Sequence, residues 1–176
     1  MSELLEKILD KQNMNEAYKK VCAKKGAGGV DGMELEELDG YIHRNWDSIK
    51  EQIRTREYKP QPVKRVEIPK PNGGKRKLGI PTVMDRVIQQ GIAQVISPMC
   101  EPLFSDHSYG FRPNRSCEMA IRDLLVFLNE GYEWIVDIDL EKFFDNVPQD
   151  KRMSLVHNII KDGDTEISES RCDDTG

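Results

Sequence analysis

Lys64-Arg-Val-Glu-Ile-Pro-Lys-Pro-Asn-Gly-Gly-Lys-Arg-Lys-Leu-Gly-Ile80 is the stretch that decides how this chain is read. Its first part alternates and carries β-branched residues, and Arg76–Ile80 can pair with it. Pro71-Asn-Gly-Gly74 between them is strong hairpin punctuation, so a two-stranded ribbon is predicted. The ribbon is basic. From Glu51 to Lys77 nine basic side chains face three acids, although the whole chain carries a net charge of −5. The acids gather in the N-terminal helices and the tail. A local basic stretch can bind phosphate whatever the total charge. Taken alone, the run reads equally as a solvated surface.

Outward from the ribbon the pattern is helical. Met33–Ile53 spaces Leu35, Leu38, Ile42, Trp46 and Ile49 by three or four, and Gly26–Gly32 before it is a flexible loop. Ser2–Lys24 reads as one or two short helices. On the other side, Val83–Ile96 carries a stripe through Val87, Ile88, Ala93 and Val95, with Pro98 as its stop. Phe104–Asn114 is irregular. Ser116 can cap a helix to Asn129, with Ala120, Leu124 and Phe127 at helical spacing and Gly131 ending it. Trp134–Leu140 reads as a strand and Pro148–Ile160 as a helix. From 161 to 176, six acids and two bases without periodicity read as a disordered tail. The fold class is α+β. The four cysteines form no C-x-x-C pair and the three histidines stand apart from them, so zinc spacing is absent. No run of about 18 apolar residues and no signal peptide points to a membrane or export, and reduced thiols in a cytosol are the simplest reading.

Chemistry is suggested by Trp134-Ile-Val-Asp-Ile-Asp-Leu-Glu-Lys-Phe-Phe-Asp145. In a strand Trp134, Val136 and Ile138 share one face while Asp137 and Asp139 project from the other. Two carboxylates at a strand's C-terminal end can hold Mg²⁺, which takes few hard oxygen ligands completed by phosphates and water. Two-metal nucleotidyl transfer would follow. An isolated D-x-D is more often a solvated strand end.

The context decides. Lys70-Pro-Asn-Gly-Gly-Lys-Arg-Lys-Leu-Gly-Ile-Pro81, Thr82-Val-Met-Asp-Arg-Val-Ile-Gln-Gln90 and Ser108-Tyr-Gly-Phe-Arg-Pro-Asn-Arg-Ser116 precede the D-x-D in order. The set closely resembles the reverse transcriptase domain of group II intron-encoded proteins, or maturases. Lys25-Gly-Ala-Gly-Gly-Val-Asp-Gly-Met33 resembles that family's extra N-terminal block. Retron and non-LTR reverse transcriptases share the D-x-x-x-x-F pattern, but Gly79-Ile-Pro-Thr-Val83 and Tyr109-Gly-Phe-Arg-Pro113 favour the group II type.

The resemblance implies roles position by position. Asp139 matches the metal-binding catalytic Asp, and Leu140 would lend a backbone carbonyl to a second ion; Asp137 lies where the family is not fixed on an acid. Phe143 matches the aromatic against the nucleotide sugar, or is a core residue beside Phe144. Lys70 and Arg76 match the residues that grip the incoming triphosphate. Lys64 and Arg65 are contacts to triphosphate or template, or a ribbon edge kept unpaired by charge. Arg112 could neutralise a phosphate, with Tyr109 and Phe111 stacking on bases or partly core. Asp85, Arg86 and Gln90 sit on a helix facing the template path in such enzymes, or form a structural ion pair.

Implied domains are 1–53, N-terminal extension helices with the glycine loop; 54–115, fingers with the basic hairpin; 116–160, a partial palm with the first Asp motif and a truncated sheet; and 161–176, the tail. Implied activity is RNA-directed DNA polymerisation with Mg²⁺, dNTP, RNA template, DNA primer and intron RNA, in a bacterial cytoplasm. The alternative is a module that binds intron RNA and assists splicing without catalysis. The family's second carboxylate pair, Tyr-Ala-Asp-Asp in most members, has no match, since Asp173-Asp174 lacks the aromatic and flanking strands. The family's thumb, DNA-binding and endonuclease regions also have no match. The 176 residues are therefore expected to hold Mg²⁺ weakly or not at all and to be inactive alone. An exposed palm edge would favour a homodimer.

Overall fold

Ser2 and Asp10 start the first two helices. The Ser2 hydroxyl accepts from the Leu4 and Leu5 amides at the head of α1 (Glu3–Ile8), and the Asp10 carboxylate accepts from Gln12 and Asn13 at the head of α2 (Lys11–Ala23). Glu34 and Glu37 close a reciprocal capping box on α3 (Leu35–Arg54). The structure, a computed structural model, describes residues 2–71, 73–140 and 143–161. Residues 162–176 of the predicted disordered tail, Asp173-Asp174 among them, lie outside the described residues, as does Asn72 of the hairpin turn.

Strands β1 (Lys64–Pro69) and β2 (Lys75–Ile80) form one antiparallel pair, with Lys64 opposite Ile80 and Pro69 opposite Lys75. Gly73 and Gly74 turn the chain at φ +81° and +85°, which only glycine adopts without strain. Helix α4 (Val83–Cys100) follows at once. It is the central element and packs on α1, α2, α3 and the last helix. Its buried side is Val83, Met84, Val87, Ile88, Gly91, Ile92 and Ile96, against Leu5, Ile8 and Leu9 of the N-terminal segment and Met14, Ala17 and Val21 of α2. A Cβ on Gly91 would stand 2.7 Å from Met14 Sδ, so α2 and α4 approach closely there. Asn13 Nδ2 donates to Ile8 O (2.8 Å) and Gly91 O (3.0 Å), and Gln94 Nε2 donates to Asn13 Oδ1 (2.8 Å).

Four differences from the sequence reading are physical. Pro98 does not stop α4, because so near the end it removes one hydrogen bond only and Glu101 N–H still reaches Ser97 O. Ala93 is exposed, since the buried stripe runs through Ile92 and Ile96 instead. Helix α5 (Cys117–Asn129) begins at Ser116 as expected but buries none of its residues. Trp134–Leu140 is not a strand. A strand is stable only when its N–H and C=O groups are paired, and among the described residues no second strand lies beside it. Trp134, Val136 and Ile138 are 93%, 81% and 80% exposed, so the apolar face is uncovered. A four-residue helix α6 (Phe143–Asn146) and α7 (Gln149–Ile160) complete the described chain, with Ile160 reaching the core. The fold is α+β and helix-rich, with the basic hairpin as its sheet among the described residues.

Candidate functional site

The hairpin sorts its charges by register. Side chains alternate along a strand, and cross-strand partners share a face. Ile68 is paired with Arg76, Val66 with Leu78 and Lys64 with Ile80, so these six lie on one face. Lys70 follows Ile68 on the same alternation, and its N–H donates to Gly74 O at 3.0 Å, continuing the ladder. Lys70 and Arg76 thus meet at the tip on one face, with Lys64 on that face at the root. Both tip cations are exposed. Arg65 lies on the opposite face with Glu67, Lys75 and Lys77, and Lys75 pairs with Glu67 at 2.6 Å. A polyanion at the tip could meet a lysine point charge and an arginine fork together.

The root of the hairpin is fastened to α4. Asp85 is 2% exposed. Its carboxylate accepts from Tyr58 Oη (2.6 Å), Gln61 N–H (3.1 Å) and Thr82 Oγ1 (2.6 Å). The Asp85 N–H returns a bond to Thr82 Oγ1 at 3.2 Å, capping the helix. Asp85 therefore points inward, toward neutral donors, and not into an open path. Its neighbour Arg86 donates from Nη2 to Ala27 O at 2.7 Å. A Cβ on Gly29 would stand 2.5 Å from Thr82 Cα. The glycine loop is thus seated on the same first turn.

The irregular stretch 104–115 is organised by Arg112. Its Nε and Nη2 donate to Glu101 Oε1 (3.0 and 2.8 Å), Nη2 also to Glu101 O (3.4 Å), and Nη1 to Ser105 O and Ser108 O (2.6 and 3.0 Å). All five N–H donors are used, and the side chain is 7% exposed. Arg112 therefore staples its own loop and is not open to a phosphate. Tyr109 donates to Asp123, a bond that raises the phenol's pKa, and Arg115 lies over its ring at 5.7 Å. Phe111 is fully exposed with φ +56°, a left-handed conformation unusual for an aromatic residue, so the core role is set aside for it.

Asp137 and Asp139 are exposed on the irregular 132–140 run. Asp139 and the Leu140 carbonyl are hard oxygen donors of the kind Mg²⁺ takes. Among the described residues no group of three or more His, Cys, Asp or Glu is gathered for a metal. Phe143 is 49% exposed and lines a cavity of about 590 Å³ with Leu140, Val147, Pro148 and Leu155, and with Lys151 and Arg152. It is therefore outside the main core. The register unites Lys70 with Arg76, whereas Asp139 and Phe143 stand on a separate part of the chain.

The inward role of Asp85 is not evident from the sequence, although Thr82-Val-Met-Asp85 has the T-x-x-D form of a helix N-terminal cap. No helix among the described residues is long and apolar enough to cross a membrane.

Residues 68–169 match the family model described as reverse transcriptase (RNA-dependent DNA polymerase). Protein YkfC of Escherichia coli K12 is 34% identical over 168 residues, covering 92% of this chain and 44% of that protein. The group II intron-encoded protein LtrA of Lactococcus lactis is 35% identical over 147 residues, covering 83% of this chain and 24% of that one. The putative COX1/OXI3 intron 1 protein of Saccharomyces cerevisiae is 31% identical over 146 residues, or 83% of this chain and 17% of that one. The chain thus spans less than half the length of these relatives. The matched region takes in the hairpin from Ile68 onward, the stapled loop and the Asp139 motif, and on these grounds the chain belongs to the reverse transcriptase family, in its group II intron-encoded branch.

Proposed function

We propose that this chain serves RNA-directed DNA synthesis, as the fingers and first palm segment of an intron-encoded polymerase. The observation that carries the reading is the hairpin register, which joins Lys70 and Arg76 on one exposed face of a ribbon ahead of the Asp139 motif. In this reading residues 1–53 are the N-terminal extension, 54–115 the fingers and 116–160 the start of the palm. Reverse transcriptases generally use divalent metal ions.

The substrates are a deoxynucleoside triphosphate and a DNA primer annealed to RNA. The primer's 3′-hydroxyl oxygen forms a bond to the α-phosphorus, the bond from that phosphorus to its bridging oxygen breaks, and pyrophosphate leaves. The hydroxyl proton passes to solvent. Lys70 and Arg76 hold the triphosphate's charge and orient it for in-line attack, with Lys64 behind them on the same face. Phe143 packs on the sugar. Asp139 and the Leu140 carbonyl would hold Mg²⁺, which when bound neutralises charge at the reacting phosphates. Arg65, on the other face, meets template backbone. Phe111, presented by the Arg112 staple, stacks on an unpaired base. Intron RNA is the expected structured partner, since a relative carries that origin in its name, and a bacterial cytoplasm is the expected setting.

The test is synthesis by the full gene product on an RNA template with a DNA primer and dNTPs, with these 176 residues alone, expected to be inactive, as the control. Template-dependent primer lengthening is expected. Intron RNA bound tightly with no synthesis under any divalent ion would replace the polymerase reading with the splicing one.

A further inference from the structure

The basic hairpin stands clear of the core: every residue of its strands is exposed except half-buried Val66 and Ile80. Each strand is six residues long, so the tip stands about 20 Å from the root. A tilt of about 10° at the root would move the tip by about 3.5 Å, more than the length of a charged hydrogen bond, about 2.8 Å. What fixes the root therefore decides where Lys70 and Arg76 point. Both legs converge on one carboxylate. Tyr58 and Gln61 lie on the incoming leg and Thr82 on the outgoing one, and all three donate to Asp85. Pro60, Pro62 and Pro81 stiffen the legs, so little slack lies between pin and strands. Asp85 belongs to the first turn of α4, the helix on which the core is built, and that turn also seats the glycine loop through Thr82 and Arg86.

We propose that Asp85 is a positioning residue whose carboxylate pins both legs of the hairpin to α4 and so aims Lys70 and Arg76. The effect on triphosphate binding rests on the polymerase reading above; the pin itself does not. A carboxylate is needed because three donors converge on two acceptor oxygens. Asparagine would replace one acceptor with an NH₂ and set donor against donor.

Amide relaxation on this chain tests the pin, comparing wild type with Asp85→Asn, Tyr58→Phe and Lys70→Ala/Arg76→Ala. In Asp85→Asn the order parameters of hairpin amides 66–78 fall together from about 0.85 to below about 0.6, while those of α2 and α4 stay rigid. Tyr58→Phe, which removes one donor and keeps the fold, moves them the same way by less, and it decides alone should Asp85→Asn not fold. Unchanged hairpin order parameters in the folded variants overturn the pin. A dNTP titration separates the two claims. Asp85→Asn weakens binding about three- to tenfold, as the aimed fraction of hairpins falls. Lys70→Ala/Arg76→Ala weakens it with a rigid hairpin. Equal binding by wild type and Lys70→Ala/Arg76→Ala would sink the triphosphate reading, and the order parameters would still judge the pin.

Discussion

Replacing Lys70 and Arg76 together by alanine removes two of the three cations on one face of the hairpin and leaves Lys64. Both tip residues are exposed, and their apolar neighbours Val66, Ile68 and Leu78 are untouched, so the fold should survive. Each phosphate contact contributes about −0.7 to −0.9 to the slope of log affinity against log salt. Three contacts on single-stranded RNA give a slope of about −2.1 from this face, and the double variant about −0.7. Between 50 and 200 mM salt, the wild-type contribution then falls about eighteenfold and the variant's about threefold. Fluorescence anisotropy with a labelled intron-like RNA at four salt concentrations reads this directly, with Asp139→Ala as a control that should keep the wild-type slope. A double variant whose slope equals wild type would refute the RNA contact, because the register would then have grouped cations that touch no RNA phosphate, and the triphosphate grip would rest on the dNTP titration alone.

Other predictions test separate parts of the structure. Phe111→Ala should leave the melting temperature unchanged, since the ring buries nothing, yet weaken single-stranded RNA binding by about 1–3 kcal/mol in an anisotropy titration. Gly29→Ala forces a Cβ to within 2.5 Å of Thr82 Cα, a backbone atom; the strain should cost about 1–3 kcal/mol and lower the thermal midpoint by several degrees. Glu6 accepts two bonds from Arg54 (2.8 and 2.6 Å), which hold its carboxyl below the ordinary value. A lowered folded pKa gives stability that is present above the unfolded value, about 4.3, and lost as pH falls through the folded one. The melting-temperature gap between wild type and Glu6→Gln should therefore hold near neutral pH and close below about pH 4.

How much of this was legible in the sequence follows from what each feature depends on. The hairpin is written locally: Gly73 and Gly74 supply the turn, and the alternation before and after supplies the pairing. Capping made Ser116 readable as the start of α5. The stripe of α4 was only half readable, because Ala93 and Ile92 are adjacent and contact with α2, through Met14 against Gly91, chooses between them. Trp134–Leu140 has a strand's pattern, but a strand also requires a neighbour, which no local pattern contains. Arg112 looked like a phosphate ligand because a sequence names donors and not their acceptors; Glu101 and two loop carbonyls supply those acceptors. Asp85 was obscure for the same reason, its partners Tyr58 and Gln61 lying 27 and 24 residues away. The candidate site was readable as a set of residues, and its division into exposed grip, buried pin and loop staple came from the fold.

The central claim is that the hairpin and the Asp139 motif serve one polymerisation site in different capacities. Single-nucleotide incorporation by the native gene product, measured across dNTP concentration, tests it most directly. Arg76→Ala should raise KM for dNTP about tenfold or more with a smaller change in kcat, and Asp139→Ala should abolish turnover at any dNTP concentration. Undiminished incorporation by Asp139→Ala, or an Arg76→Ala enzyme with wild-type KM and kcat, would contradict it.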